Sequence, residues 1–318
     1  MTGWSITGGR LAPAQVAGVL DLAAAAAAAD SVAPLSEHVL LHLRYDAASP
    51  GADPAPGRDL VLTVNEEIAG YAYLDSPGHP GPDVSGELVI HPRHRGHGLG
   101  LALLRELIAQ AGGHRVRLWA HGDLPAAGRL ARAAGFERFR ALWQMRRPLG
   151  DPLSEPLDPP RLPAGTTLRT FRPGQDEAEW LRLNARAFAK HPEQGSWSPH
   201  DLELREQEPW FDPAGFFLAE RDGVMIGFHW TKIPAPAEPD KCVGEVYVVG
   251  VDPGERGTGL GRALTLAGLG YLRDRGLAEA MLYVDEDNVP AIRMYEGLGF
   301  TLWSTDAMYR QRQLPAPR

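Results

Sequence analysis

Short β-branched and aromatic runs alternate along this chain with stretches whose apolar residues recur at helical spacing. In the first half the pattern predicts helices over Ala12–Ala29 and Ser36–Leu43, then strands over Asp59–Val64, Glu67–Asp75 and Val84–His91. A helix over Leu101–Ala111, a strand over Arg115–His121, a helix over Ala126–Ala134 and a strand over Glu137–Met145 complete that half. The second half repeats the order. It reads as a strand over Thr167–Arg172, helices near Asp176–Ala189 and Pro199–Glu208, and strands over Gly215–Arg221, Val224–Lys232 and Gly244–Val251. A helix over Arg262–Arg275, a strand over Ala280–Val284, a helix over Val289–Leu298 and a last strand over Thr301–Arg310 follow. The expected fold is α/β, two tandem domains that are each a mixed, largely antiparallel sheet flanked by helices. Between them, Pro148 to Pro163 is so rich in proline that neither helix nor central strand is expected. The expected division is therefore 1–147, a linker at 148–165, and 166–318.

The repeat is sharpest at one junction. His91-Pro92-Arg93-His94-Arg95-Gly96-His97-Gly98-Leu99-Gly100 and Asp252-Pro253-Gly254-Glu255-Arg256-Gly257-Thr258-Gly259-Leu260-Gly261 each follow an apolar run and open into a helical pattern. Glycines there let backbone N–H groups and a positive helix end approach a phosphate, and the arginine adds charge. Ala134-Gly135-Phe136 and Leu298-Gly299-Phe300 then close the next helix in each half. A dinucleotide fingerprint would need Gly-x-Gly-x-x-Gly and an acidic residue at the end of the next strand. Neither loop has that spacing.

A chain of 318 residues is long enough for two cores. The net charge of −8 argues against a nucleic-acid partner, which would require clustered Lys and Arg over a face. The single cysteine, Cys242, allows no internal disulfide and reads as a small residue near a strand start. No metal-ligand spacing of Cys and His is present, so no metal is expected. The alanine run Ala23–Ala29 falls far short of the ~20 apolar residues that span a bilayer. With no secretory pattern at the N-terminus, the chain is expected to be cytoplasmic, off the membrane and monomeric, two fused copies replacing a dimer.

The Arg-x-x-Gly-x-Gly/Ala pattern resembles that of the Gcn5-related N-acetyltransferase (GNAT) superfamily, whose loop holds the pyrophosphate of acetyl-CoA. The resemblance implies direct attack of an amine on a thioester, which needs a base for the ammonium proton and an acid for the leaving thiolate. Aligning the halves on the arginine loop sets Glu245 opposite Val84, and aligning them on Gly-Phe sets Tyr295 opposite Ala131 and Asn288 opposite Leu124. Glu245 is the candidate base and Tyr295 the candidate acid. The first half thus keeps the cradle without the chemistry. Its carboxylate Glu87 lies three positions beyond Val84, which without a bulge puts it on the opposite face.

Longer segments carry a narrower resemblance. His191–Gly195, Gly227–Lys232, Gly244–Pro253, Leu282–Val284 through Asn288, and Trp119–Gly122 together are similar to the mycothiol synthase family of actinobacteria, tandem members of the superfamily. That resemblance implies acetyl-CoA as donor and the cysteinyl amine of cysteinyl-glucosaminyl-inositol as acceptor, giving mycothiol and CoA. It implies acceptor contacts from Glu37, Glu193, Lys232, Glu245 and Tyr283. It further implies acetyl-CoA contacts from Val249, Gly250 and Val251, from Arg256, Gly257, Thr258, Gly259, Leu260, Gly261 and Arg262, and from Asn288, Val289, Pro290, Ala291, Ile292 and Arg293. In the first half Leu88, Val89 and Ile90 with Gly96, His97, Gly98, Leu99, Gly100 and Leu101 match a second, non-catalytic CoA site. His97 stands where the family often has arginine. Two other readings of the residues stay open: a tandem N-acetyltransferase acting on another primary amine, such as an aminoglycoside or a peptide N-terminus, and a CoA-sensing binding protein.

Overall fold

The computed structural model describes residues 3–46, 57–75, 83–150, 156–189, 191, 194–234 and 243–312. The chain divides into two compact units, 1–142 with 305–318, and 143–304. In the first unit β1 (Trp4–Gly8), β2 (Gly57–Val64), β3 (Glu67–Asp75) and β4 (Asp83–Ile90) form an antiparallel run. The fifth strand, β5 (Arg115–Ala120), joins β4 in parallel. Helices α1 (Pro13–Asp30) and α2 (Glu37–Leu41) cover one face, where Val19, Leu22, Ala26 and Val39 pack on Val61, Tyr71, Tyr73 and Val89. The other face is covered by α3 (Leu99–Gln110) and α4 (Pro125–Ala133), with Leu103, Leu104 and Leu107 buried against Leu60, Leu62 and Ala72. The alternation along β2, β3 and β4 sends successive residues to these two cores, so the strands read as nearly continuous apolar runs.

The second unit repeats the plan. Antiparallel β7 (Thr166–Thr170), β8 (Phe216–Arg221), β9 (Val224–Lys232) and β10 (Val243–Val251) are followed by β11 (Glu279–Asp285), parallel to β10. Helices α5 (Glu177–Ala187) and α6 (Pro199–Glu206) cover one face around Trp180, Phe216, Phe228 and Trp230; the Phe216 and Trp230 rings stack at 4.5 Å. Helices α7 (Leu260–Asp274) and α8 (Val289–Glu296) cover the other, over Val246, Leu269, Leu282 and Ile292.

The last two strands depart from the expected boundaries. Strand β6 (Phe136–Pro148) begins in the first unit and ends in the second, and β12 (Thr301–Gln311) does the reverse. Ala307–Arg310 pair antiparallel with Ala120–Arg117 of β5, while the end of β6 follows β11 in the second unit. Residues 143–147 therefore belong to the second unit and 305–312 to the first, because each half's last strand runs past the expected domain boundary. The strand also runs through Pro148, and the Leu149 N–H donates to the Ala278 carbonyl at 2.7 Å, so the expected linker starts later than its prolines suggest. Residues 151–155 of that linker lie outside the described residues.

Candidate active site

Both cradles form as the loops predict. In the second unit Gly257 and Gly259 take φ of +81° and +88°, a left-handed conformation that glycine adopts without strain, and Gly259 caps α7. A Cβ on either would meet nothing within 4 Å, so backbone conformation rather than crowding requires these glycines. Gly96 and Gly98, both at +80°, set the same turn before α3. Free N–H groups at the start of a helix of this length suit a pyrophosphate. The arginines differ. Arg95 is clamped by both oxygens of Asp30, at 2.7 and 2.8 Å, and its Nε donates to the Ile90 carbonyl. Arg256 is exposed, donates to the Ala187 carbonyl at 3.3 Å and has no ion pair among the described residues.

Val249, Gly250 and Val251 end β10 beside the loop, and a Cβ at Gly250 would fall 2.4 Å from the Phe228 ring. Leu260, Gly261 and Arg262 form the first turn of α7, where Arg262 donates to the Gly297 carbonyl at 3.1 Å and pairs with Asp158. Asn288 caps α8, its Oδ1 accepting from the Ala291 N–H, and Val289, Pro290, Ala291, Ile292 and Arg293 open that helix. Thr258 completes the loop by donating to the Glu255 carbonyl.

The strand pairing corrects the equivalence of Glu245. Between Val246 and Val248 the β9–β10 ladder slips by one residue, and Tyr247 is the extra residue of a β-bulge. No slip occurs between β3 and β4. Val246 pairs with Leu282 and Gly86 with Leu118, so Glu245, opposite Met281, corresponds to Ser85, opposite Arg117, and Val84 corresponds to Gly244. The bulge also overturns the expectation for Glu87. It pairs with Tyr73 as Val248 pairs with Trp230, on the α1 and α2 face, which is the face that carries Glu245 in the second unit.

Glu245 is buried and lies cross-strand from Lys232. The Lys232 ammonium sits 4.7 Å from the Trp210 ring and 5.0 Å from the Tyr247 ring, an aromatic seat for a cation beside the carboxylate. Arg205 donates to the Tyr247 hydroxyl at 2.7 Å while its guanidinium lies 3.9 Å from the Trp197 ring. Tyr295 is buried on α8, edge-on to Phe300, and its hydroxyl has no hydrogen-bond partner among the described residues. Burial pushes this phenol up to about 12, which keeps it protonated. Tyr283, on the same face of β11 as Met281, accepts a 2.8 Å bond from Gln144. Glu37 belongs to the first unit, in the first turn of α2. Glu193 and Cys242 lie outside the described residues.

In the first unit a cavity of about 320 Å³ is lined by Leu88, Val89, Ile90, Gly96, Gly98, Gly100 and Leu101, and by Leu124, Ala131 and His121. Leu99 is buried beneath it, whereas His97 is exposed. Ala131 and Leu124 replace the phenol and the amide of the second unit, leaving an apolar wall. Beyond that wall Glu87 is held by the Ser36 N–H at 2.7 Å and faces His121 at 3.7 Å, and His121 in turn bonds Asp306 at 3.0 Å. Burial alone would lower the His121 pKa, but Asp306 and Glu87 hold it up at about 10. Desolvation would raise Glu87, yet His121 and Ser36 keep it below the ordinary carboxylate value. The carboxylate is thus occupied by an imidazolium and by the start of α2.

Among the described residues no group of three His, Cys, Asp or Glu is arranged to hold a metal, and no helix is long and apolar enough to cross a membrane.

The acetyltransferase (GNAT) family model matches residues 29–136 and again 179–300. A mycothiol acetyltransferase of Thermobispora bispora is 60% identical across 95% of this chain and 98% of its own length. The chain belongs to the mycothiol acetyltransferase family of tandem GNAT proteins. A second family member, from Thermomonospora curvata, is 55% identical over 95% of each chain. Among solved structures, a GCN5-related N-acetyltransferase from Sphaerobacter thermophilus matches with a TM-score of 0.66 at 26% identity, over 96% of this chain and 95% of that one. A tandem GNAT protein from the clavulanic acid biosynthesis pathway shares the fold, with a TM-score of 0.72 at 22% identity over 98% of this chain and all of that one. For this tandem acetyltransferase, sequence reasoning missed three residues that shape the sites. Tyr247 gives no local sign of a bulge, and Asp30 and Asp306 act on partners 65 and 185 positions away.

Proposed function

We propose that the second unit transfers the acetyl group of acetyl-CoA to the cysteinyl amine of cysteinyl-glucosaminyl-inositol, with Glu245 as base and Tyr295 as acid. The observation that carries this reading is the bulge at Tyr247, which sets a buried carboxylate beside the Lys232 seat in the second unit alone. The amine must lose a proton to attack. Glu245 accepts it, the neutral nitrogen bonds to the thioester carbonyl carbon, and as the carbon–sulfur bond breaks the second proton on nitrogen passes to the phenolate that Tyr295 becomes on protonating the thiolate. The departing thiolate takes the proton of Tyr295, whose solvent-poor site keeps the phenol neutral until then. The N–H groups of the cradle and Arg256 hold the pyrophosphate, and the end of β10 aligns the pantetheine arm.

The first unit binds CoA in its cavity without turnover. Its arginine is already neutralised by Asp30, and the position of the base is Ser85. Mass spectrometry of the product formed from purified protein, acetyl-CoA and cysteinyl-glucosaminyl-inositol tests the reading. One acetyl group on the cysteinyl nitrogen is expected; acetylation of aminoglycosides or peptide N-termini in preference to it would overturn the acceptor assignment.

A further inference from the structure

In the first unit the β4–β5 ladder stops at the Gly86–Leu118 pair, although β4 runs on to Ile90 and β5 to Ala120. Leu88 and Ile90 on one strand end and Trp119 and Ala120 on the other line the cavity of about 320 Å³. A ligand seated on the glycine loop therefore extends between the strand ends. Helix α4 supplies a further wall with Leu124, Ala127, Leu130 and Ala131. Counting from the shared Gly-Phe, and from helix starts at Pro125 and Val289, Ala131 stands in the place of Tyr295 and Leu124 in that of Asn288. A whole phenol ring is missing from this wall, and neither replacement carries a polar side chain. The Tyr309 hydroxyl, on a residue that also lines the cavity, donates to Asp123 at 3.3 Å.

An acetyl group extends one methyl beyond the thioester carbonyl, so it leaves that apolar space to water, which needs several polar partners that leucine and alanine do not offer. Filling the space with methylenes is favourable instead, each strengthening binding about fourfold when fully buried. Charge sets a second limit. Arg95, a cation lining the cavity, is already held by both oxygens of Asp30. His121 answers two carboxylates, Asp306 at 3.0 Å and Glu87 at 3.7 Å, so that set carries net negative charge and disfavours a further carboxylate. We propose that the first unit is a site for CoA esters whose acyl chain is uncharged and longer than acetyl, the chain lying against Leu124, Leu130 and Ala131 in the space that the phenol occupies in the second unit. This rests on the CoA site assigned to the first unit above. Because Ser85 stands where the second unit has its base, the bound ester is retained rather than consumed.

The test is isothermal titration of the full chain with acetyl-CoA, butyryl-CoA and succinyl-CoA, repeated on Ala131→Tyr, which restores the ring, and on Ala131→Leu, which fills the space without a polar atom. In the unsubstituted protein one of two sites should bind butyryl-CoA about tenfold more tightly than acetyl-CoA, and succinyl-CoA about tenfold more weakly than butyryl-CoA. Either substitution should bring the butyryl-to-acetyl ratio at that site to about one, while the affinities of the other site stay unchanged. The ratio is read within each protein, so a general loss of stability does not imitate the result, and Ala131→Leu decides if Ala131→Tyr does not fold. Equal affinity for acetyl-CoA and butyryl-CoA at both sites, a preference that survives the substitutions, or succinyl-CoA bound as tightly as butyryl-CoA would overturn the acyl pocket. Binding of every ester at one site only would instead remove the CoA reading of the first unit itself, and the proposal with it.

Discussion

Arg95 and Arg256 occupy the same place in two copies of one loop, yet one is clamped by Asp30 and the other is exposed without an ion pair among the described residues. The same contrast runs through the strands behind them. In the second unit the bulge turns Glu245 toward a cationic and aromatic seat, whereas in the first an unbulged β4 sends Glu87 into a buried set with His121, Asp306 and Ser36. A duplicated motif therefore preserves backbone geometry more readily than it preserves charge. Glycine requirements are local and persist, but the field at the cradle depends on whichever carboxylate another element supplies.

The comparison breaks most directly at the two carboxylates. Glu245→Gln should lower kcat by about 10² to 10³ while acetyl-CoA affinity holds, and Glu87→Gln should leave kcat within about twofold. Comparable losses in both variants, read from stopped assays of CoA release, would mean that the first unit turns over too. Tyr295→Phe comes next, with kcat expected to fall about 10- to 100-fold and the loss confined to the step that frees CoA; a full rate across the pH range would remove the phenol from the mechanism.

A smaller effect distinguishes the cradles. Arg256→Ala should weaken acetyl-CoA binding at the second unit about tenfold, and Asp30→Asn should tighten CoA binding at the first unit a few-fold by freeing Arg95, both by isothermal titration. Failure of Asp30→Asn to change affinity would show that its ion pair does not govern that site. The smallest effects concern two histidines, His229 fully buried and His121 half-buried. His229 donates through Nδ1 to the Leu264 carbonyl at 2.7 Å, with Gly268 leaving room for its ring, and burial lowers its pKa to about 4. Its folded value lies below the unfolded 6.5, so the stability it contributes is present above pH 6.5 and lost as pH falls toward 4. His121 has the opposite sign: its contribution is full below 6.5 and is lost as pH rises through about 10. Melting curves across pH should show both limbs, and Asp306→Asn should reduce only the alkaline one.

Much of this was legible locally. The strands over 67–75 and 224–232 end where their apolar runs do, and both glycine loops sit at the strand-to-helix junctions their residues require. Strand β1 was not foreseen, although Trp4-Ser5-Ile6-Thr7 alternates and β7 holds the matching edge in the other copy. The candidates for base and acid, Glu245 and Tyr295, were nominated by the comparison of the two copies, because the second has a carboxylate and a phenol where the first has small or apolar residues.

Periodicity and a few adjacent residues were enough for the duplication, the order of elements, the two glycine loops and the residue types available for proton transfer. Folding was needed to show where β6 and β12 cross the expected domain boundaries, that the bulge at Tyr247 makes Ser85 rather than Val84 the equivalent of Glu245, and that Asp30 and Asp306 neutralise charges far from them in the chain. Strand register and ion pairing are set by which hydrogen bonds and side chains meet after the helices have packed, and no local pattern encodes that meeting.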